Sequence, residues 1–329
     1  MKEITILIAV RNEENNIIEC LTHIQNLSYP YFEVLIGNDN SSDNSKTIIE
    51  KFIANKPNFH LFDIFPSENP NLKGKTNVLA QLIKKTKNEI IFVTDADTCV
   101  SKEWIQNFML YFNQKNAIIT GVTIPKSTSF FGKMQALEWA EIFGIIDLFA
   151  KKNIALTSIG NNMAFEKKEY EKIGGYENLP FSLTEDFLLF QKIVKNGGKF
   201  KQLYDEKSMS FTQSTEKLTD WISQRKRWLY GAMQVNLFFS FLLLCKAFSG
   251  IFLLILSFFS VYFLFIFLAI EFTRLFFLYF NLKKIKKINL IIYFPFLSIF
   301  HCFISPIVFF EYFFNKKVVW KGREFISKK

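Results

Sequence analysis

The sequence predicts an α/β domain, with a doubly wound, mixed but mostly parallel sheet, followed by a helical transmembrane region. Two observations carry this prediction. Short β-branched runs alternate with segments of helical periodicity over the first two thirds of the chain, a pattern typical of parallel sheets covered by helices. Beyond Asn236 the composition changes, and residues 237–270 contain a single formal charge, at Lys246.

The predicted elements alternate along the chain. Strands are expected where apolar runs end in polar turns, at residues 4–10, 33–37, 59–65, 89–94 and 117–122. Helices are expected at residues 15–27, 45–54, 75–85 and from 101 onwards. The middle third is less regular, and it contains an aromatic-rich helix at 130–149, a short strand after 160, a helix from 184 to 196 and a basic helix at 221–230. In sheets of this kind, the ligand lies at the carboxyl ends of the strands, so the polar residues after the first, second and fourth strands should converge there.

The charge distribution separates the two regions. The chain has 329 residues and a net charge of +10, but residues 1–220 carry 25 Lys/Arg against 27 Asp/Glu, whereas residues 221–329 carry 15 against 3. A nucleic-acid binder would place its positive charge on the polar domain, so no nucleic-acid partner is expected. The four cysteines show no paired spacing, which argues against a disulfide framework and favours a reducing compartment.

The apolar region begins near Ala232, so we predict a domain over residues 1–232 and a membrane region over 233–329. A spanning helix needs about 20 residues. Residues 237–270 therefore hold one span with an interfacial helix, or two spans that pivot near 246–250, and residues 290–310 form a further stretch that Pro295 and Pro306 would kink. This gives two or three hydrophobic helices and a basic cytoplasmic tail. The basic stretches 283–287 and 315–329 can both be cytoplasmic only if the last apolar stretch is re-entrant or a shallow hairpin; a simple span breaks the positive-inside rule for one of them.

Several polar groups at predicted strand ends and helix starts could carry chemistry. Asp95-Ala96-Asp97 ends the fourth strand, and two carboxylates there could hold Mg²⁺ or Mn²⁺, or form an ordinary turn that caps the next helix. Asp39 could bind a ribose or base, or belong to a capping turn. The lysines of Lys73-Gly74-Lys75 oppose the dipole of the helix that follows, which is unfavourable unless an anion binds there. They could therefore form an anion site, or they could be an ordinary solvated turn.

Two further groups have both a chemical and a structural interpretation. In Thr184-Glu185-Asp186, the acids could complement a helix dipole, or Asp186 could act as a general base. In Gln224-Arg225-Lys226-Arg227-Trp228, an arginine could bind phosphate and the tryptophan could stack on a sugar, or the basic helix could contact anionic lipid headgroups.

The order and spacing of these groups over residues 4–228 resemble the inverting glycosyltransferases of family 2, which have the GT-A fold, in their membrane-anchored bacterial branch. Trp320-Lys321-Gly322-Arg323 is also similar to the end of many bacterial members. One departure is Asn38-Asp39-Asn40, where the family often has two adjacent acids followed by glycine, and it bears on which nucleotide is bound.

The resemblance implies roles for the matching positions. It implies donor-nucleotide contacts for Ala9, Arg11, Glu13, Asp39, Lys75 and Asp95. It implies a Mg²⁺ or Mn²⁺ ligand at Asp97, with Asp95 as a second candidate, and a catalytic base at Asp186. It implies contacts with the diphosphate or the acceptor for Asn161, Asn162, Glu185, Gln224, Arg227 and Trp228.

The function that the resemblance implies is transfer of a hexose from a nucleotide-diphosphate sugar, with a UDP-sugar expected, to a hydroxyl of a lipid or lipid-linked glycan in cell-envelope synthesis. The expected location is the inner (cytoplasmic) membrane, multi-pass, with the catalytic domain facing the cytoplasm and membrane lipids as partners. The alternatives are a processive polysaccharide synthase, for which two or three spans are few, and a polyprenyl-phosphate sugar synthase, whose phosphate acceptor needs little general base. A non-enzyme alternative is an inactive nucleotide-sugar-binding membrane scaffold.

Overall fold

A computed structural model describes residues 2–235, 237–320 and 323–326, with the backbone alone at 319–320 and 323–326. The chain forms two compact units: Met1–Ile124 with Ile146–Gln213, and Pro125–Ile145 with Ser214–Lys329. The second unit therefore includes segments that the sequence analysis assigned to the α/β domain, because they group with the apolar helices. The motif at 320–323, which is similar to the end of many bacterial members, is described only by the backbone of residues 320 and 323. Residues 321 and 322 lie outside the described chain.

The first unit is built on a seven-stranded mixed sheet, as predicted. Its strands are β1 (Ile4–Val10), β2 (Phe32–Asn38), β3 (Phe59–Asp63), β4 (Ile90–Asp95), β5 (Ile118–Thr120), β7 (Met163–Glu166) and β8 (Phe200–Gln202). Their spatial order is β3-β2-β1-β4-β7-β5-β8. Only β7 runs antiparallel to its neighbours β4 and β5. A separate two-stranded sheet pairs β6 (Val122–Lys126) with β9 (Met209–Gln213).

Helices cover both faces of the sheet because successive strand residues point to opposite sides. The helices of this unit are α1 (Ile17–Gln25), α2 (Ser45–Ile53), α3 (Lys75–Ile83), α4 (Trp104–Phe112), α6 (Lys167–Lys172) and α7 (Glu185–Lys195). One core cluster joins Ile6 and Ile8 to Trp104, and the other joins Leu7 and Ile91 to the opposite helices. This alternation accounts for the continuous apolar runs that predicted β1 and β4.

The region around Gly121 differs from the prediction of one strand at 117–122. The chain breaks there into β5 and β6, and the backbone N–H of Gly121 donates to the carbonyl of Asn162 at 2.9 Å. A Cβ atom at Gly121 would lie 2.5 Å from the Asn162 amide, so the buried asparagine requires glycine at the break. The short elements α6, β8 and β9 were not predicted.

The second unit is helical. Its elements are α5 (Phe130–Ala150, up to Ile145), α8 (Leu218–Ala232), α9 (Leu237–Ser257), α10 (Val261–Lys284), α11 (Phe294–Phe314) and the hairpin β10 (Lys317–Trp320) with β11 (Arg323–Ile326). A six-residue 3₁₀ segment, Ile288–Tyr293, leads into α11. Three stretches, Leu237–Ser257, Val261–Lys284 and Ile288–Phe314, are long and apolar enough to cross a membrane.

The predicted pivot near residues 246–250 is wrong. Helix α9 continues through these residues, and the chain turns at Phe258–Ser260 instead. Lys246 is compatible with the helix because its ammonium group lies 3.3 Å from a carboxylate oxygen of Glu141. Gly250 does not break the helix; its missing side chain makes room for Cys302, whose sulfur would lie 2.7 Å from a Cβ atom at this position.

Candidate active site

The carboxyl ends of four adjacent strands meet at one edge of the sheet, as the strand-helix alternation predicts. In the sheet register, Ala9 on β1 lies beside both Gly37 on β2 and Asp95 on β4. Asn38 at the end of β2 lies beside Asp63 at the end of β3. The polar residues that follow these strands are therefore collected along one line, where doubly wound sheets bind ligands.

Arg11 and Asp39 come together at this edge. A guanidinium nitrogen of Arg11 donates to the backbone carbonyl of Asp39 at 2.7 Å, and both residues are half-buried. The buried Nε of Arg11 has no hydrogen-bond partner in the protein, so the group has donor capacity for a ligand.

Asn38, where the family often has an acid, has an acidic neighbour from another strand. Its amide donates to a carboxylate oxygen of Asp63 at 2.9 Å, and Lys46 bonds the other oxygen at 2.6 Å. Hydrogen bonds from Asn38 and Lys46 lower the pKa of Asp63, which keeps this carboxylate ionised. A second carboxylate therefore stands next to the predicted nucleotide site, although it is 24 residues from Asp39 in sequence.

Glu13 lies in the loop after β1, where it bonds to other groups of the protein. It is 6% exposed, its backbone N–H donates to Ser45 at 2.7 Å, and its carboxylate accepts from Asn16 at 2.8 Å. These contacts join the start of α1 to the start of α2. A direct contact between Glu13 and the nucleotide stays a prediction.

Lys75, the first residue of α3, is the centre of a charge cluster. Its ammonium nitrogen lies 2.5 Å from an oxygen of Asp95 and 3.3 Å from an oxygen of Glu185. Burial alone would lower the pKa of Lys75, but the charges of Asp95, Glu185 and Asp186 raise it, so the lysine stays protonated. This answers the question posed by a lysine at a helix N-terminus: the anions that it meets are carboxylates of the protein.

Asp186, in the first turn of α7, is held next to this cluster. One carboxylate oxygen accepts from the backbone N–H of Gly160 at 2.6 Å, and the other accepts from Phe187 at 2.8 Å. Burial and the neighbouring charge of Glu185 raise the pKa of Asp186 to about 6, although Lys75 and the two N–H donors oppose the shift. A carboxylate with this pKa is ionised at neutral pH and is a stronger base than an ordinary aspartate, which suits proton abstraction.

The residues at the end of β4 fit a divalent cation. Asp95 and Asp97 are both half-buried carboxylates, and three carboxylates surround the single charge of Lys75, so the cluster carries excess negative charge. Among the described residues, no third His, Cys, Asp or Glu has a ligand atom close enough to share one ion with Asp95 and Asp97, so two protein ligands are the most that this turn offers. Mg²⁺ commonly binds through one or two carboxylates and completes its shell with substrate phosphates and water. The choice between Asp97 and Asp95 as the ligand stays a prediction.

The two asparagines after Gly160 do not line an open surface. Asn162 is fully buried; its carbonyl oxygen accepts from the indole N–H of Trp104 at 2.8 Å, and its amide donates to the carbonyls of Val122 and Ser208 at 2.9 and 2.8 Å. Asn161, 6% exposed, accepts from the Thr123 hydroxyl at 2.9 Å. The expected acceptor contact is therefore corrected for these side chains, because their hydrogen-bonding groups hold the scaffold together.

In the second unit, Gln224, Arg227 and Trp228 lie on α8, and the residue between them that dominates the packing is Arg225. Arg225 is 6% exposed; its Nε lies 3.1 Å from Glu138 on α5, and a second nitrogen also bonds that carboxylate. Its guanidinium group lies 4.3 Å from the ring centre of Trp228 and 4.8 Å from that of Trp221. Gln224 accepts a further hydrogen bond from Arg225.

The three consecutive cations at 225–227 are not all available to bind phosphate or lipid headgroups. Arg225 and Lys226 are buried, whereas Arg227 is half-buried. Burial would raise the pKa of Glu138, but Arg225 and His301 lower it to about 2, so the Glu138–Arg225 pair is ionic. Sequence reasoning missed Glu138; the available signal was two carboxylates, Glu138 and Glu141, among aromatic and aliphatic residues of one helix, which must be matched by cations elsewhere.

The fold and the carboxyl-edge site define a class. The mixed sheet with this strand order and its charged cluster at the carboxyl edge, together with three apolar helices later in the chain, are those of a glycosyltransferase with the GT-A fold. The sequence model of glycosyl transferase family 21 matches residues 1–329, so the chain belongs to that family. The family 2 that the motifs resemble is a different family, and membership of it is not confirmed.

Relatives with assigned names are synthases. The chain is 32% identical over 247 residues to poly-β-1,6-N-acetyl-D-glucosamine synthase of Staphylococcus aureus, covering 73% of this chain and 57% of that protein. It is 29% identical over 238 residues to the synthase of the same name in Staphylococcus epidermidis, covering 71% and 55%. The chain thus spans little more than half the length of these relatives. A mannosyltransferase from Pyrobaculum calidifontis, solved with GDP-Man and Mn²⁺, shares the fold with a TM-score of 0.54 at 18% identity, over 70% of this chain and 63% of that one.

Proposed function

We propose that the chain is an inverting, metal-dependent glycosyltransferase that moves a sugar from a UDP-sugar to a hydroxyl of a lipid or lipid-linked glycan at the cytoplasmic membrane. The observation that carries the proposal is the placement of Asp186 beside Lys75 and Glu185, with its pKa raised to about 6. The names of the relatives, which make a polymer of N-acetylglucosamine, support a UDP-linked N-acetylhexosamine as the first donor to test.

Asp186 is the proposed base. In a single displacement, its carboxylate takes the proton from the acceptor hydroxyl while that oxygen attacks the anomeric carbon, and the bond to the diphosphate breaks on the opposite face. The N–H groups of Gly160 and Phe187 hold both carboxylate oxygens and so fix the direction from which the proton is taken. A positioned base of this kind contributes about 10²–10⁴-fold to the rate.

The leaving diphosphate requires positive charge, because negative charge develops on it in the transition state. Mg²⁺ or Mn²⁺ held by Asp97, with Asp95 as a second candidate, would neutralise part of that charge. Arg227 and Gln224 of α8 are the proposed protein donors to the diphosphate, and Trp228 is proposed to stack on the acceptor. Arg11, Asp39 and Asp63 are proposed to bind the nucleoside.

The acceptor is proposed to be lipid-linked because the second unit exposes apolar side chains suited to lipid rather than water. In two of its three long apolar helices, 6% of the most apolar stretch is buried within the protein. An acceptor carried by a membrane lipid reaches such a protein by diffusion in the bilayer, whereas a soluble acceptor gains nothing from the anchor.

The proposal is tested with the purified full chain in lipid vesicles, a panel of UDP- and GDP-sugars, Mn²⁺ and a bacterial lipid extract as acceptor. We expect release of UDP that depends on the extract, with labelled sugar recovered in the organic phase. If none of the donors yields free nucleotide, the proposal of an enzyme is refuted and a binding scaffold is supported. A ladder of water-soluble product would favour a processive synthase, and an acid-labile single-sugar lipid phosphate would favour a polyprenyl-phosphate sugar synthase.

A further inference from the structure

The third apolar helix, α11, is long enough to cross a membrane, yet its contacts within the second unit do not follow the length of α9 and α10. We infer that α11 is re-entrant: the chain leaves α11 on the side where α9 begins and α10 ends, and an apolar stripe of the helix faces the acyl chains of the lipid. The inference concerns the membrane surface of the protein and does not depend on the transferred sugar.

The helices α9 and α10 define the two sides. They are joined by a three-residue turn at Phe258–Ser260, and Glu141 lies 3.3 Å from Lys246 of α9 and 2.8 Å from Arg274 of α10. Lys246 and Arg274 are therefore at the same level of an antiparallel pair. At 1.5 Å per residue, the start of α9 and the end of α10 each lie about 14–15 Å from that level, on the same side.

The start of α11 lies beside the middle of α10. Residues 285–293 connect the two helices, and Phe294 at the start of α11 lies 5.6 Å from the guanidinium of Arg274. One turn later, Ser298 donates to Glu271 at 2.5 Å. The chain therefore returns from the end of α10 to the level of Arg274 before α11 begins.

The end of α11 lies against α8, the helix that leads into α9. Tyr312 packs against Tyr230 with a ring-centre distance of 4.8 Å, and Glu311 lies 3.5 Å from Lys226. The ammonium of Lys226 also donates to the backbone carbonyl of Lys317, just beyond α11, at 2.8 Å. The chain therefore leaves α11 next to the start of α9.

The contacts between these two ends stay near one level of the α9–α10 pair. Cys302 lies against Gly250 of α9, and seven and eight residues later Phe309 and Phe310 each lie 6.1 Å from the ring of Phe248. From residue 294 to residue 310, α11 advances about 24 Å, whereas these partners on α9 and α10 lie within about 6 Å of the level that Lys246 and Arg274 share. A helix that crossed the membrane would meet partners spread along the length of α9 and α10, so these contacts argue against a crossing.

The surface of α11 fits lipid on one face and protein on the other. Exposed large apolar side chains recur every three or four residues, at Phe296, Ile299, Phe303, Ile307, Phe310 and Phe314. Buried side chains such as Leu297, Cys302 and Phe309 face the bundle. One third of the most apolar part of this stretch is buried, against 6% for α9 and α10.

The same arrangement satisfies the charge rule for both basic segments. The cluster at residues 283–287 ends α10, and Lys316 and Lys317 follow α11. With α11 re-entrant, both clusters lie on the side where α9 begins, which the positive-inside rule identifies as cytoplasmic. A crossing would have separated them.

The test is cysteine labelling of the full chain in sealed inside-out and right-side-out membrane vesicles. Lys284→Cys and Lys316→Cys are made singly in a variant whose four native cysteines are replaced by alanine, and each is treated with a membrane-impermeant maleimide. Glu50→Cys on the exposed surface of α2 reports the orientation of the vesicles. We expect Lys284→Cys and Lys316→Cys to label in the same vesicle preparation.

Labelling of the two positions in opposite preparations would overturn the inference. If the alanine background does not fold, protease digestion of an epitope tag after Lys329 in the otherwise native chain decides the same point. Glu50→Cys, made in the chain with native cysteines, again reports the orientation of the vesicles. Cleavage of the tag in the preparation in which Glu50→Cys is labelled supports a re-entrant α11. Cleavage only in the opposite preparation refutes it. Neither result depends on detecting sugar transfer, so a failure of the proposed function is separately recognised.

Discussion

Replacement of Asp186 by asparagine removes the proposed base with little change in shape. The asparagine keeps one side-chain oxygen to accept from the N–H of Gly160 or Phe187, whose distances to the native carboxylate are 2.6 and 2.8 Å. It cannot accept the acceptor proton. We expect turnover to fall about 10²–10⁴-fold, which corresponds to a barrier about 3–5 kcal/mol higher, with UDP affinity close to that of the native chain.

The pH dependence gives a second readout of the same residue. Because the pKa of Asp186 is raised to about 6, the base is about nine tenths ionised at pH 7 and about one tenth ionised at pH 5. Turnover of the native chain should therefore fall about tenfold between these values. The residual turnover of Asp186→Asn should lack this dependence.

The raised pKa also predicts the sign of the stability change. The pKa of Asp186 is higher in the folded chain than in the unfolded chain, so folding favours its neutral form. The stability that this form contributes is fully present below the ordinary aspartate pKa and is lost as the pH rises through about 6. Asparagine is neutral at every pH but leaves one of the two N–H donors without an acceptor. The unfolding temperature of Asp186→Asn should therefore change less between pH 4 and pH 7 than that of the native chain.

The assay is UDP release at saturating donor, measured from pH 5 to 8, with thermal unfolding of each variant in the same detergent. Glu50→Gln, which changes an exposed carboxylate on α2, is the matched control and should behave like the native chain. Near-normal turnover in Asp186→Asn, or a flat pH profile in the native chain, would refute the role of this residue.

Three further changes test other parts of the account. EDTA should abolish transfer and Mn²⁺ or Mg²⁺ should restore it, with Asp97→Asn needing more Mn²⁺ for half of its activity; full activity in the chelator would remove the metal. Asn162→Ala should strand the indole N–H of Trp104 and two carbonyls, at about 1–3 kcal/mol for each unsatisfied group, and so lower the unfolding temperature while donor KM stays constant; a raised KM with native stability would instead place Asn162 at a ligand. Arg225→Lys should lower kcat about tenfold or more because Trp228 loses its stacked guanidinium and Glu138 its forked partner, while UDP affinity stays the same; unchanged kcat would show that this pairing does not position α8.

The sheet and its carboxyl edge were predictable because their signals are local. The apolar runs of β1 and β4 are buried on both faces; Arg11 follows β1 directly, and Asp95 ends β4. The convergence of Arg11, Asp39 and Asp95 then follows from the rule that parallel strands end at a common edge. The pairing of Asn38 with Asp63 follows from strand register, which the sequence does not display.

The missed features depend on partners far away in the chain. Glu138 and Arg225 are 87 residues apart, and neither is unusual in its own segment. Lys246 looked like a break in an apolar stretch, but Glu141, 105 residues earlier, neutralises it within a continuous helix. Asn161 and Asn162 had the composition of an open loop; their burial depends on Trp104, Thr123 and two carbonyls that only the tertiary fold brings to them.

The central claim is a single displacement assisted by Asp186, and the stereochemistry of the product tests it most directly. Proton NMR of the sugar transferred by the full chain from an α-linked UDP-sugar gives the configuration at the anomeric carbon. A β-linked product is the predicted result. An α-linked product would contradict the mechanism, whatever the effect of substituting Asp186.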